Sequence, residues 1–156
     1  MNCVLCEQTA TKINKTKQAR YRGEIAEVSS ELFRCDSCNE EFATPEQMRL
    51  HVRAVKNEIR KKHGLLPPER IAEIRHNLGL KQDELEELLG TGPKVIVRWE
   101  SGKVIQSSGH DLTLRLLERD PSILQQLRTL QQLRLQEQKE YQARADQSKG
   151  MVAQAV

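Results

Sequence analysis

Four cysteines arranged as two Cys-x-x-Cys pairs, Cys3 with Cys6 and Cys35 with Cys38, constrain this chain more than any other feature. A C-x-x-C turn lets two thiolates reach one tetrahedral ion while nearby backbone N–H groups offset their charge, and two such turns complete a four-sulfur site. The spacing predicts one Zn2+ per chain, held by Cys3, Cys6, Cys35 and Cys38. Its role is structural, because zinc has no redox chemistry and four protein ligands leave no open position. A thioredoxin-like redox pair would need a strand before and a helix after, inside a larger α/β unit. The first pair begins at residue 3, with no room for that strand. Aromatic residues make up only 3% of the 156 residues. No large core is available, so metal binding coupled to folding takes its place.

The charge balance is mild, with a formal net of +3, and does not by itself indicate a nucleic-acid partner. Its distribution is more informative. Arg49, Arg53, Lys56, Arg60, Lys61, Lys62, Arg70, Arg75 and Lys81 form a basic stretch, and Asp83 to Glu87 is acidic. No apolar run has the length of a membrane span. The N-terminus MNCVLCEQTA lacks the basic start and apolar stretch of a secretory signal. The expected setting is the cytoplasm, where thiols stay reduced.

The pattern predicts an α+β chain of two domains: a small, β-rich, four-cysteine zinc domain over residues 1–43 and a mainly α domain with a long C-terminal helix over 68–135. Short β-type runs, Ala26-Glu27-Val28 and Leu32-Phe33, mark the first domain. Residues 44–67 read as a connecting helix and linker. Thr44-Pro45-Glu46-Gln47 has the form of a capping box with proline in the first turn, and Met48, Val52, Val55 and Ile59 form one apolar stripe. Gly64 and Pro67-Pro68 end that helix. Four further segments have helical spacing: Ile71 to Leu78, Leu85 to Leu89, Pro93 to Glu100, and Leu112 to Arg119. Pro121 opens a last helix carrying Ile123, Leu124, Leu127, Leu130 and Leu133. Residues 136–156 read as a polar extension, frayed over 147–156.

The segment from Leu78 to Gly102 has the spacing of a helix-turn-helix. A tight turn around Gly90 to Gly92 separates two short helices, and Leu85, Leu88, Ile96 and Trp99 are spaced to be its core. The opposite face of the second helix, with Lys94, Val95, Val97 and Arg98, is then free to enter a major groove. Arg98 can donate twice to guanine O6 and N7, Lys94 can reach guanine or phosphate, and Val97 or Val95 can meet a thymine methyl. Gln82, at a helix start, is placed to hold a phosphate, with Lys81 and Lys103 as flanking phosphate ligands. Arg75 and Glu100 are read as a structural ion pair. The Gly92-Pro93 start leaves the second helix without a side-chain cap of its own.

Gln82-x-x-Leu85-x-x-x-Leu89-Gly90 followed by Ile96-x-x-Trp99-Glu100-x-Gly102 resembles the XRE/Cro-type helix-turn-helix. That resemblance implies DNA contacts from Gln82, Lys94 and Arg98 and a pairing of Arg75 with Glu100. The chain departs from the group at Lys81, Gly92 and Pro93, so base recognition is expected to rest on Lys94 and Arg98. The C-x-x-C pairs, the connecting helix and a helical domain ending in Leu-Leu-Glu-Arg-Asp-Pro together resemble the MqsA/YgiT-type antitoxins of bacterial toxin–antitoxin modules, over about residues 1–130. The resemblance implies a zinc-stabilised domain that binds a cognate protein toxin. It also implies a C-terminal domain that forms a homodimer on double-stranded DNA, at a palindromic operator, and represses its own operon. A bacterial, nucleoid-associated location and, through the C-terminal extension, a chaperone partner complete these expectations. The alternative is an XRE-family regulator whose zinc domain serves sensing or dimerisation, with no toxin. An enzyme is not expected: His51, His63, His76 and His110 are scattered and no acid–base or nucleophile constellation accompanies them.

Overall fold

The computed structural model describes the backbone of residues 1–153 and the side chains of residues 1–146. Fraying is expected over 147–156; over 147–153 the backbone instead continues the last helix, and residues 154–156 lie outside the described residues. The architecture is the expected α+β: an N-terminal three-stranded antiparallel sheet followed by helices. The chain divides into two compact units, one of residues 1–72 and 97–108, the other of residues 73–96 and 109–156.

The first unit is built on a hairpin longer than the short β-runs suggested. Strands β1 (Ala10–Tyr21) and β2 (Glu24–Cys35) pair in an unbroken register from Ala10 opposite Cys35 to Tyr21 opposite Glu24. Arg22 and Gly23 turn the chain with φ of 51° and 87°. Positive φ at both central residues matches the right-handed twist of the flanking strands, and Gly23 adopts it without a Cβ clash. The sequence hides β1 because eight of its twelve side chains are polar. It is an edge strand, and Lys12, Lys15, Lys17 and Arg20 along it discourage pairing with another chain. A short β3 (Glu41–Phe42) borders β2, with Phe42 opposite Phe33 and their rings stacked 5.7 Å apart.

Helix α1 (Pro45–Lys62) starts as the sequence predicts. The Thr44 N–H donates to Gln47 Oε1 at 2.9 Å and the Gln47 N–H donates to Thr44 Oγ1 at 3.2 Å. Its buried stripe differs from the expected one. Met48 and Val52 are 50% and 44% exposed, whereas Val55 and Ile59 are buried against Ala26 and Val28. The sheet-facing line runs Gln47, His51, Val55, Ile59, a spacing of four. Its first half is polar: buried Gln47 donates to Glu31 at 3.1 Å and His51 is hydrogen-bonded to Ser30. Two polar residues in the true stripe made the neighbouring Met48–Val52 line look apolar. Arg60, counted from sequence in the basic stretch, is 2% exposed and donates to Asn57 Oδ1 and to the Val104 carbonyl at 3.0 and 2.8 Å. It holds the loop after residue 100 in place and offers no charge to solvent.

Helices α2 (Pro68–Asn77), α3 (Gln82–Leu89), α4 (Val95–Glu100), α5 (Ser108–Arg119) and α6 (Ile123–Ala153) follow. Helix α4 begins two residues later than Pro93, and α6 two residues later than Pro121. Within α6, Ile123, Leu124 and Leu127 are half-buried, while Leu130 and Leu133 are 61% and 52% exposed. The fully buried side chains include Ile71, Leu85, Ile96, Leu114 and Leu117, each at 0% exposure. Among the described residues no helix is long and apolar enough to cross a membrane.

Candidate metal centre and nucleic-acid interface

The hairpin explains why cysteines so far apart in sequence meet. Residues 1–9 lead into β1 and Cys35 ends β2, so full pairing of the strands brings the first turn beside the second. The Asp36 N–H donates to the Thr9 carbonyl at 3.1 Å across this end. Both turns fold alike. In one, the Cys3 N–H donates to the Gln8 carbonyl and the Glu7 N–H to the Cys3 carbonyl; in the other, the Cys35 N–H donates to Glu40 and the Asn39 N–H to Cys35, all between 2.8 and 3.2 Å.

The sulfurs of Cys3, Cys6, Cys35 and Cys38 lie within 4.8 Å of one another. Cys3 to Cys38 is 3.6 Å, Cys6 to Cys35 is 3.4 Å and Cys6 to Cys38 is 3.5 Å. The edge of a tetrahedron with metal–sulfur bonds of ~2.3 Å is about 3.8 Å, so the cluster has close to the size such an ion needs. A disulfide, at about 2.05 Å, is not formed; all four thiols are free. Backbone N–H groups already point at the sulfurs. Leu5 donates to Cys3 Sγ, and Ser37 and Cys38 donate to Cys35 Sγ, each at 3.4 Å. These donors favour thiolate. The Cys38 N–H, followed by that of Ser37, holds the Cys35 thiol down at about 6 against the opposing effect of burial. For Cys38 a backbone hydrogen bond at Glu40 lowers the value, but the neighbouring Cys6 and Cys35 sulfurs and burial outweigh it and push the thiol up to about 12. A cation among the four relieves that crowding of negative charge. Donor type, number and spacing suit one soft, four-coordinate metal ion without an open position.

The two turns are not equally comfortable. Glu7 and Asn39 occupy equivalent positions after the second cysteine, at φ of 61° and 59°. Asn tolerates the left-handed region through its short polar side chain, whereas Glu meets the full Cβ clash. Glu7→Gly should therefore stabilise the first turn by about 0.5–1 kcal/mol, the relief of that clash less the entropy of an added glycine. Chelator competition should show slower metal loss; faster loss would mean that Glu7 is not strained.

The residues expected to face DNA are distributed over the start of α3, α4 and the turns around them. In α4, Ile96 and Trp99 are 0% and 3% exposed, while Val97 is 42% exposed and Arg98 is exposed. Val95 is half-buried. Lys94 is not on the helix. It precedes Val95 in a turn, exposed, with φ of 62°. Lys81 stands before α3, and its backbone N–H donates to the Glu84 carboxylate at 2.7 Å. Lysine has no acceptor to return the bond, so only half of a capping box is made. Gln82 is the first residue of α3 and is half-buried; Lys103 is exposed in the loop after α4. Buried Arg75 donates to the Leu80 carbonyl at 2.9 Å, and Glu100 ends α4, half-buried.

The cap that Gly92 and Pro93 fail to supply comes from elsewhere. The half-buried Glu86 carboxylate on α3 accepts the Ile96 N–H at 3.0 Å. A negative charge at the start of α4 both satisfies a free donor and opposes the helix dipole. Glu86 lies ten residues before Ile96, beyond the reach of any local capping pattern, so the sequence carried no signal for it. Gly90 makes the approach possible by closing α3 in the left-handed conformation, φ 64°, with the Gly90 and Thr91 N–H groups returning to Glu87 and Glu86. Glu86→Ala should cost about 1–2 kcal/mol, the loss of a charge-assisted cap, and Glu86→Gln less. Urea unfolding monitored by Trp99 fluorescence measures both; equal stability of all three proteins would remove Glu86 from the account.

A search of the curated proteins finds no match for this chain. A family profile does match residues 1–128: the antitoxin component of bacterial toxin–antitoxin systems, MqsA. The match spans the metal centre, the connecting helix and the whole α2–α5 segment. With its four clustered cysteines and its order of sheet and helices, the chain belongs to the MqsA antitoxin family.

Proposed function

We propose that this protein neutralises a cognate toxin by direct binding and represses its own operon by binding operator DNA. The reading rests on family membership together with one local observation. Helix α4 buries Ile96 and Trp99 while exposing Val97 and Arg98, the division that a recognition helix requires. Arg98 reads a base, Val97 adds an apolar contact, and Lys94, Lys81, Gln82 and Lys103 hold flanking groups. Arg75 and Glu100 pair as a structural link within the helix-turn-helix. The centre's ion is zinc, one per chain, and its part is to hold residues 1–43 folded for the toxin. Residues 44–67 connect, residues 68–135 bind DNA and dimerise, and residues 136–156 extend the chain toward a chaperone. A homodimer places two recognition helices on a palindromic operator with half-sites about 34–36 Å apart. Both activities are stoichiometric binding in the bacterial cytoplasm, on the nucleoid, not turnover.

The test is co-expression with the product of the neighbouring reading frame. The expected result is a soluble complex of defined stoichiometry, one zinc per chain, whose free antitoxin shifts a duplex from its own promoter. Promoter binding without capture of any neighbour would leave a regulator and remove the toxin from the proposal.

A further inference from the structure

A cavity of about 270 Å³ opens between β2, β3 and the first turns of α1, within the first compact unit. It lies where the sheet-facing line of α1 turns polar. Val55 and Ile59 fill the space against Ala26 and Val28, but one and two turns earlier the same line presents His51 and Gln47. The void that apolar side chains would close there stays open. Its apolar wall is buried Leu32, half-buried Phe42 and exposed Met48. Its polar wall includes Lys17, Ser30, His51, Glu31 and Glu41. Unfilled apolar surface beside partly buried polar groups costs stability on both counts, and local departures of this kind are expected where a site serves function.

We infer that this cavity binds a small carboxylate with an apolar body, its carboxylate meeting Lys17 and His51 and its body lying on Leu32, Phe42 and Met48. The inference stands apart from the toxin and operator readings above. Charge selects an anion. Glu31 is already answered by Lys12 at 3.0 Å and by the Gln47 amide at 3.1 Å. Glu41 is shared by three cations. Lys15 takes both of its oxygens, at 2.9 and 2.8 Å, while Arg34 and Lys17 stand off at 3.5 and 3.6 Å. Lys17 is the most loosely held of the three, and its ammonium is left to a second carboxylate. His51 adds a donor. Its Nδ1 is engaged by Ser30, and its Nε2 has no partner among the described residues. A Ser30 hydroxyl donating to Nδ1 fixes the ring proton on Nε2, a donor with no acceptor until a ligand brings one. Size and polarity select the rest. Ligand sites combine an apolar lining with a few polar groups that fix orientation, usually in ~300–1,000 Å³. At about 270 Å³, this one suits a short acyl or aromatic acid.

The experiment titrates octanoate, its uncharged isostere octanamide and the shorter butanoate into the full-length, metal-loaded protein, reading the backbone amide resonances of Ser30, Leu32, Phe42, Met48 and His51. Lys17→Gln and His51→Gln are titrated alongside. Lys17 is exposed, so its replacement leaves the fold intact, and metal content and melting temperature check both variants. Octanoate should shift these amides to saturation. Octanamide, and octanoate on either variant, should bind about tenfold more weakly, as expected for the loss of one charge-assisted hydrogen bond at a partly exposed site. Butanoate should also bind more weakly than octanoate, because it leaves the apolar wall uncovered. No saturation by about 10 mM octanoate, tenfold above a millimolar Kd, would overturn the inference. So would octanamide binding as tightly as octanoate, or undiminished octanoate binding by Lys17→Gln, since the cavity would then be apolar surface without anion selectivity. If a co-expressed toxin shifts these amides and octanoate does not, the cavity is a protein-docking surface and the inference falls.

Discussion

Cys35→Ser should strip the protein of its metal and unfold the cysteine-bearing hairpin, while α5, in the second compact unit, keeps its structure. Cys35 is 0% exposed, ends β2 and receives the N–H groups of Ser37 and Cys38. A serine oxygen is a shorter, harder donor that is not ionised at neutral pH, so three thiolates remain around a site built for four. Structural zinc in small domains contributes about 10–16 kcal/mol at neutral pH, as large as the whole net stability of a typical domain, about 5–15 kcal/mol. The rest of the unit cannot make up such a loss. Besides Ala26 and Val28, which pack against Val55 and Ile59 of α1, the hairpin buries only Ala10, Leu32, Phe33 and Cys35, and β1 is polar along most of its length. Metal content, amide exchange across β1 and β2, and toxin capture should all fail together, while α5 amides stay protected. Retention of one metal per chain with protected hairpin amides would refute the four-cysteine centre.

Arg98→Ala should erase operator preference without disturbing the fold. Its side chain is exposed, and what it contributes structurally is a backbone carbonyl, which accepts the Val104 N–H at 3.1 Å and the Ser101 hydroxyl at 3.4 Å. Alanine retains both. A bidentate arginine–guanine contact accounts for about 1–3 kcal/mol of discrimination, so promoter affinity should fall by about five- to 150-fold toward the scrambled-duplex value. Gln82→Ala should behave differently. A phosphate contact positions without reading sequence, so promoter and scrambled binding should weaken together. Fluorescence anisotropy on both duplexes separates the two outcomes; undiminished preference in the Arg98 variant would take α4 out of the groove.

Lys94 shows why the residues before α4 resist reading from sequence. Counting from Pro93 puts Lys94 one residue inside a helix and on its free face. The chain instead turns through a left-handed residue there and starts the helix at Val95. Proline at the first helical position is a common start, but the cap decides where a helix begins, and this cap is Glu86, contributed by the preceding helix.

The residues themselves determined the four-cysteine cluster, the capping box at Thr44 and Gln47, the order of sheet and helices, and the burial of Leu85, Leu88, Ile96 and Trp99. Each of these depends on neighbours within about one helical turn or on the fixed chemistry of a thiol. Tertiary structure alone decided the rest: the full length of the hairpin, the shift of the buried stripe of α1 onto Gln47 and His51, the burial of Arg60, and the Glu86 cap. In each case a polar group acquired a partner distant in the chain. Local periodicity reads a polar residue as exposed, and only the folded chain shows which polar residues are satisfied inside.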